Sequence, residues 1–239
     1  MKTSNATNAD RYRDVLERIQ KIHEPYARFK HPLWAGLMAG KFEKPQVRVF
    51  LKQASIIPLY NHLYHGPLYV NCPDPNWREM IAEVVYEEGT GRIFAEGVPH
   101  WKLWLRLGNA FGIADEEMWS TEFCPEALAW RSFFHGICSG DFLVGASAHM
   151  LGAEAQVPGA SGSVAEGLKK KFKLSDDDVA FYSVHDHADS EHSDIGRKLL
   201  SRFATTDEDM ERVVTAVTQV VQVSQVLYDG IHECVKRAA

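Results

Sequence analysis

Apolar residues along this chain recur every three to four positions, the period of a helix with one buried face. Residues 10–24 place Tyr12, Val15, Leu16, Ile19 and Ile22 on such a face. His31-Pro32-Leu33-Trp34 opens a short helix that Gly40 ends. An apolar-rich stretch follows over 47–69. Pro58 and Pro67 predict a kink or break there, because proline lacks the N–H a helix needs. The turn Cys72-Pro73-Asp74-Pro75 starts a helix over 76–89, and glycines at 89, 91 and 97 then precede a Trp- and Leu-rich helix over 100–111. Residues 126–155 read as one long helix with a possible break at Ser139-Gly140, and 156–163 as a loop. Ser175 with Asp178, and Thr206 with Asp209, resemble capping boxes for helices running to about 203 and 237. No alternating strand pattern and no repeat competes. The expectation is one all-α domain over 1–239, a bundle with any cofactor site between facing helices.

Composition changes this picture little. The chain has 239 residues, 45% hydrophobic and 24% charged, which is ordinary for a globular protein and excludes wholesale disorder. Its net charge of −6 argues against nucleic acid as a partner. No apolar run is long enough to predict a membrane span. The polar start of the chain lacks a signal-peptide core. The scattered Cys72, Cys124, Cys138 and Cys234, without a CxxC, suit free thiols in a reducing cytoplasm.

Candidate chemistry changes it more. His185, Asp189 and His192 are spaced i, i+4, i+7, so the second and third lie roughly 40° and −20° from the first and form one stripe on a helix. Two imidazoles and a carboxylate on one stripe suit a divalent transition metal, iron in particular. A solvated face is the alternative, since Asp186, His187, Glu191 and Asp194 crowd the same segment. Residues 142–153 carry no formal charge and read as a central helix, and Glu154 follows directly. A carboxylate there needs a cation or hydrogen bonds, unless it reaches solvent at the helix end. Glu88 continues the apolar face of Ile81, Val84 and Val85, whereas Glu87 falls off it and is expected to be solvated. His100 begins the next helix behind Pro99, with Glu96 a rival carboxylate four residues earlier. Glu88, His100, Glu154, His185, Asp189 and His192 together could hold two Fe(II) ions in a nearly neutral site.

On these residues the chain resembles the haem-oxygenase-like diiron oxidases and oxygenases, relatives of the TenA and PqqC proteins in fold. The pattern E…H…E…HxxxDxxH runs in order through Glu88, His100, Glu154 and His185-Asp189-His192. The interval between Glu88 and His100 is long for that family. The resemblance implies a single haem-oxygenase-like helical domain, two Fe(II) ions, O2 as co-substrate and a homodimer. It also implies oxidation of a small metabolite by N-hydroxylation, by oxidative C–C cleavage of an amino or fatty acid, or by nitrile formation. Overall similarity favours conversion of a halogenated tryptophan to an indole nitrile. Phe94, Trp101, Trp104, Phe111, Trp130, Phe133 and Phe134 are the aromatic residues available to line an indole pocket. Two other activities known for this fold are less favoured by the residues. A TenA-like hydrolase would need a thiolate near Glu154, but Gly145-Ala146-Ser147-Ala148 supplies none and Cys138 lies far upstream. A metal-free, PqqC-like oxidase would leave buried carboxylates unpaired. A haem enzyme with His23 as axial ligand is less favoured still.

Overall fold

The computed structural model describes residues 8–154 and 160–238, and side chains within 11–154, 160–185 and 198–238. Among these residues the regular structure is helical, joined by turns, without a strand. The helices are α1 (Asn8–His23), α2 (Pro32–Met38), α3 (Lys44–Ala54), α4 (His62–Asn71), α5 (Pro75–Thr90), α6 (His100–Ala110), α7 (Asp115–Trp119), α8 (Pro125–Ser139), α9 (Phe142–Ala146), α10 (Ala160–Phe172), α11 (Ala180–Phe203) and α12 (Asp207–Arg237). A π-helical segment, Ser147–Glu154, continues α9.

The longest helix organises the rest. Along α12, Val213, Val217, Val220, Val221, Ser224, Leu227, Tyr228, Ile231 and Val235 are buried at three-to-four-residue spacing. That face packs against the π segment, α8, α3 and α1. The contact with the π segment is close because Gly152 has no side chain: a Cβ there would lie 3.1 Å from Val220 Cγ1. Thr206 and Asp209 form the expected capping box of α12. The Ser175–Asp178 pair also exchanges its hydrogen bonds, yet α11 starts only at Ala180, after a turn.

Proline and glycine interrupt the helices at some of the expected positions and not at others. The chain breaks at Pro58, where a 3₁₀ turn, Pro58–Tyr60, separates α3 from α4. It also breaks after Ser139, between α8 and α9. Pro67, by contrast, sits inside α4, where burial of Tyr64, His65 and Leu68 outweighs one missing backbone hydrogen bond. The expected loop over 156–163 is helical from Ala160 onward, despite Ser161 and Gly162, because Ala160, Ser161, Val164, Ala165 and Leu168 are buried on α10. No helix among the described residues is long and apolar enough to cross a membrane.

Candidate metal centre

Two groups of carboxylates and imidazoles face one cavity between the helices. The first is built at the end of α5. Ile81 and Val84 are buried, and Glu88 continues their face inward, as the periodicity predicts. Gly91 then caps α5 in the left-handed conformation at φ +64, where a Cβ would stand 2.0 Å from Val98 O. This turn folds 92–99 back, and Pro99 delivers His100 as the first residue of α6, 1% exposed. His100 Nδ1 lies 3.0 Å from Glu88 Oε1, and its Nε2 lies 3.2 Å from Glu87 Oε1. Glu88 Oε2 accepts a 2.8 Å hydrogen bond from Asn61 Nδ2. From α11, His185 Nδ1 donates to Phe181 O at 2.7 Å, which leaves Nε2 facing Glu88 at 4.0 Å.

Glu87 departs from its expected role. It is 5% exposed, and its carboxylate accepts from the backbone N–H groups of Ile93 at 2.6 Å and Phe94 at 3.1 Å as well as facing His100. The folded-back loop covers a helix face that periodicity alone assigns to solvent. Glu96 is exposed, at φ 52, and is no rival to Glu88.

The second group surrounds Glu154. His149 Nδ1 lies 3.3 Å from Glu154 Oε1, and His65 Nε2, from α4, lies 3.9 Å from the same oxygen. The two imidazole rings are 4.5 Å apart. His149 and Glu154 are five residues apart, which in an α-helix turns them roughly 140° away from each other. The i→i+5 bonding of a π-helix stacks such residues instead, and π segments of this kind are frequent at functional sites. His65 is 6% exposed, and neither ring nitrogen has a hydrogen-bond partner. Helical spacing within one segment could not reveal either histidine. Asp189 and His192 belong to α11, but their side chains lie outside the described residues.

Electrostatics couple Glu88 and His100 in the first group. Burial would raise the Glu88 carboxyl, but the hydrogen bond and charge of His100, with the fields of His65 and His185, hold it well below the usual carboxylate range. Burial would lower His100, but Glu88 and Glu87 raise it. Burial and the charge of His100 push His185 down to about 4, so its imidazole is unprotonated at neutral pH. The donor atoms of Glu88, His100 and His185 all lie within 4.8 Å of one another, as do those of His65, His149 and Glu154. The mixed imidazole and carboxylate donors, and the orphaned nitrogens of His65, fit a divalent transition metal. A thiolate mechanism does not fit: burial pushes the Cys138 thiol far up, and the charge of Glu154 adds to this. All four cysteines are free thiols.

The cavity wall also differs from expectation. Trp104, Trp130 and Phe134 line it, as expected. The expected Phe94 is exposed, Trp101 packs on Trp119, Phe111 packs on Phe172, and Phe133 does not line the cavity. Trp34, Tyr64, Phe181, Tyr182 and Tyr228 line it instead, brought from helices that the linear pattern leaves unrelated.

Helix order and bundle architecture place the protein among haem-oxygenase-like folds. A domain of unknown function with that fold from Shewanella denitrificans superposes with a TM-score of 0.71 at 14% identity, covering 96% of this chain and 94% of the other. A TenA homologue from Pseudomonas syringae pv. tomato superposes at 0.74 with 11% identity, covering 92% of each. At such identities the likeness is one of fold. Residues 48–225 match the model of the haem-oxygenase-like family described as iron-containing redox enzymes, and the chain belongs to that family. Curated relatives named 4-aminobenzoate synthase are 25% identical. The one from Nitrosomonas europaea aligns over 91% of this chain and 90% of its own length, and the one from Chlamydia muridarum over 87% and 86%. Those names speak of 4-aminobenzoate, whereas the sequence suggested tryptophan and a nitrile.

Proposed function

We propose that this iron-containing redox enzyme is a non-haem diiron oxidase or oxygenase that uses O2 to oxidise a small metabolite with an aromatic body. The observation that carries this reading is the pair of carboxylate–imidazole groups opening on one aromatic-walled cavity. Glu88, His100 and His185 are the residues that would hold one ion. Glu154 would hold the other, joined by Asp189 and His192 from α11, with His149 and His65 beside it. Bound ferrous iron supplies the electrons and open coordination positions that reduce O2.

The protein's own groups do the rest. Glu87 orients His100 through its far nitrogen, and Phe181 O fixes the tautomer of His185, the usual outer support of a metal-binding imidazole. Asn61 holds one Glu88 oxygen, leaving the other toward the two histidines. Trp104, Trp130 and Phe134 exclude water and offer flat faces to an aromatic ring.

4-Aminobenzoate formation, after the relatives' names, and nitrile formation from a halogenated tryptophan are the two substrate readings. The product in the relatives' names, 4-aminobenzoate, and the tryptophan substrate of the nitrile reading both carry an aromatic body and a carboxylate. Anaerobic Fe(II) titration should saturate at about two ions per chain. Exposure to O2 with a panel of aromatic amino acids, arylamines and fatty acids should then give turnover with the aromatic class. Full activity after exhaustive chelation would favour the metal-free alternative and discard the reading.

A further inference from the structure

The cavity lining includes Arg28, Trp34 and Tyr182, polar donors that the metal chemistry does not use. The guanidinium of Arg28 lies over the indole of Trp34, its central carbon 5.2 Å from the ring centroid. Trp34 is 7% exposed and Tyr182 is 5% exposed. Both line the cavity, and neither Trp34 Nε1 nor the Tyr182 hydroxyl has a hydrogen-bond partner. Buried donors are rarely left unsatisfied, because each such group costs free energy. The two other tryptophans of the cavity show the contrast: Trp104 Nε1 donates to Leu51 O at 3.2 Å and Trp130 Nε1 to Ser224 Oγ at 3.2 Å. Tyr182 stands three residues before His185, roughly 4.5 Å along α11, which sets it about one turn from the first metal group.

We infer that Arg28, Trp34 and Tyr182 form a carboxylate-binding subsite that fixes which end of the substrate faces the metal groups. The inference rests on the reading of this cavity as the substrate site. Among the residues lining the cavity, Glu88 and Glu154 repel a substrate carboxylate whereas Arg28 attracts it, and Arg28 is the one Arg or Lys among the described residues there. A guanidinium with two neutral N–H or O–H donors suits a singly charged carboxylate, since Arg pairs with its planar oxygens through a fork of N–H groups. A doubly charged phosphate would call for a second cation. An aromatic carboxylate therefore lies with its acid group at Arg28 and its opposite end, an amino or ring substituent, toward Glu88 and His185.

The test is isothermal titration calorimetry on the iron-loaded full chain under nitrogen, repeated after chelation. The probes are 4-aminobenzoate and indole-3-acetate against 4-aminobenzamide and indole-3-acetamide, with phenylphosphonate as the phosphate-like arm. Each acid should bind at least about tenfold more tightly than its amide, as charged hydrogen bonds predict, and more tightly than the phosphonate. Arg28→Gln should bring acid and amide to parity, Arg28→Lys should keep part of the preference, and Tyr182→Phe should reduce it. Iron content and thermal midpoint should not change in these variants. Equal binding of acid and amide, no saturable binding of either acid, tighter binding of the phosphonate, or a preference that survives Arg28→Gln would overturn the subsite. So would a preference that disappears on chelation, because the anion would then sit on iron. Acid preference in a chain that takes up no iron would retain the subsite and reject only the diiron reading, while iron uptake without acid preference would do the reverse.

Discussion

The two halves of the candidate centre are built differently. Around Glu88 the supporting contacts are already made: Glu87 on His100, Asn61 on Glu88 and Phe181 O on His185. Around Glu154 the π-helical turn brings His149 near, but both nitrogens of His65 are without hydrogen bonds. A site whose ligands are held by neighbours has little ordering left to do on binding, whereas one with orphaned donors completes itself on the ion. The Glu88 group is therefore expected to fill first and to hold its ion more tightly.

The most severe way to break this comparison is Glu88→Ala. It should abolish turnover and empty the tighter site, exceeding the roughly 100-fold loss of metal affinity typical of an outer supporting residue. Iron content after gel filtration would show it, and two retained ions would contradict the assignment. Glu87→Gln comes next. It keeps the shape but weakens the hold on His100, with an expected loss of roughly 10- to 100-fold in affinity for the first ion alone, measured by anaerobic titration. A combined His65→Ala, His149→Ala variant should spare the first ion and weaken the second, seen as a titration that flattens near one ion per chain; an unchanged titration curve would place both histidines outside the coordination.

The smallest effect concerns the frame. Arg202, at the end of α11, donates to Asp74 at 2.6 Å and 2.8 Å, clamping α11 to the cap of α5. The hydrogen bond from Arg202 is the main reason the Asp74 carboxyl lies below its ordinary value. Its stabilisation is thus complete above the ordinary carboxylate range and disappears as pH falls through the lowered value. Arg202→Ala should lower the thermal midpoint slightly at neutral pH and not at all in strong acid; a difference that grows with acidity would refute the linkage.

Part of the candidate centre was legible in the sequence, for identifiable reasons. Glu88 continued a face of which the structure buries Ile81 and Val84 but exposes Val85, and Glu154 ended a charge-free segment that does lie at the centre. His100 and His185, which the structure brings to Glu88, were singled out by a proline-fixed start and by spacing to Asp189 and His192, whose side chains lie outside the described residues. Glu87 was misread because a helical wheel shows which way a residue points and not what later folds over it. His149 was invisible because its pairing with Glu154 depends on π geometry, and the chain gives no pattern that announces a π turn. His65, Trp34 and Tyr228 reach the cavity through long-range packing, which linear periodicity does not encode. Helix α10 was missed because Pro158, Gly159 and Gly162 read as a loop, while the burial that holds Ala160–Phe172 helical is tertiary.

Anomalous diffraction at the iron absorption edge, on crystals loaded with Fe(II) under nitrogen, tests the central claim most directly. The account predicts about two iron peaks in the cavity, one ligated by Glu88, His100 and His185 and one by Glu154. Iron bound only elsewhere on the chain, or a cavity with no anomalous signal at saturating Fe(II), would contradict it.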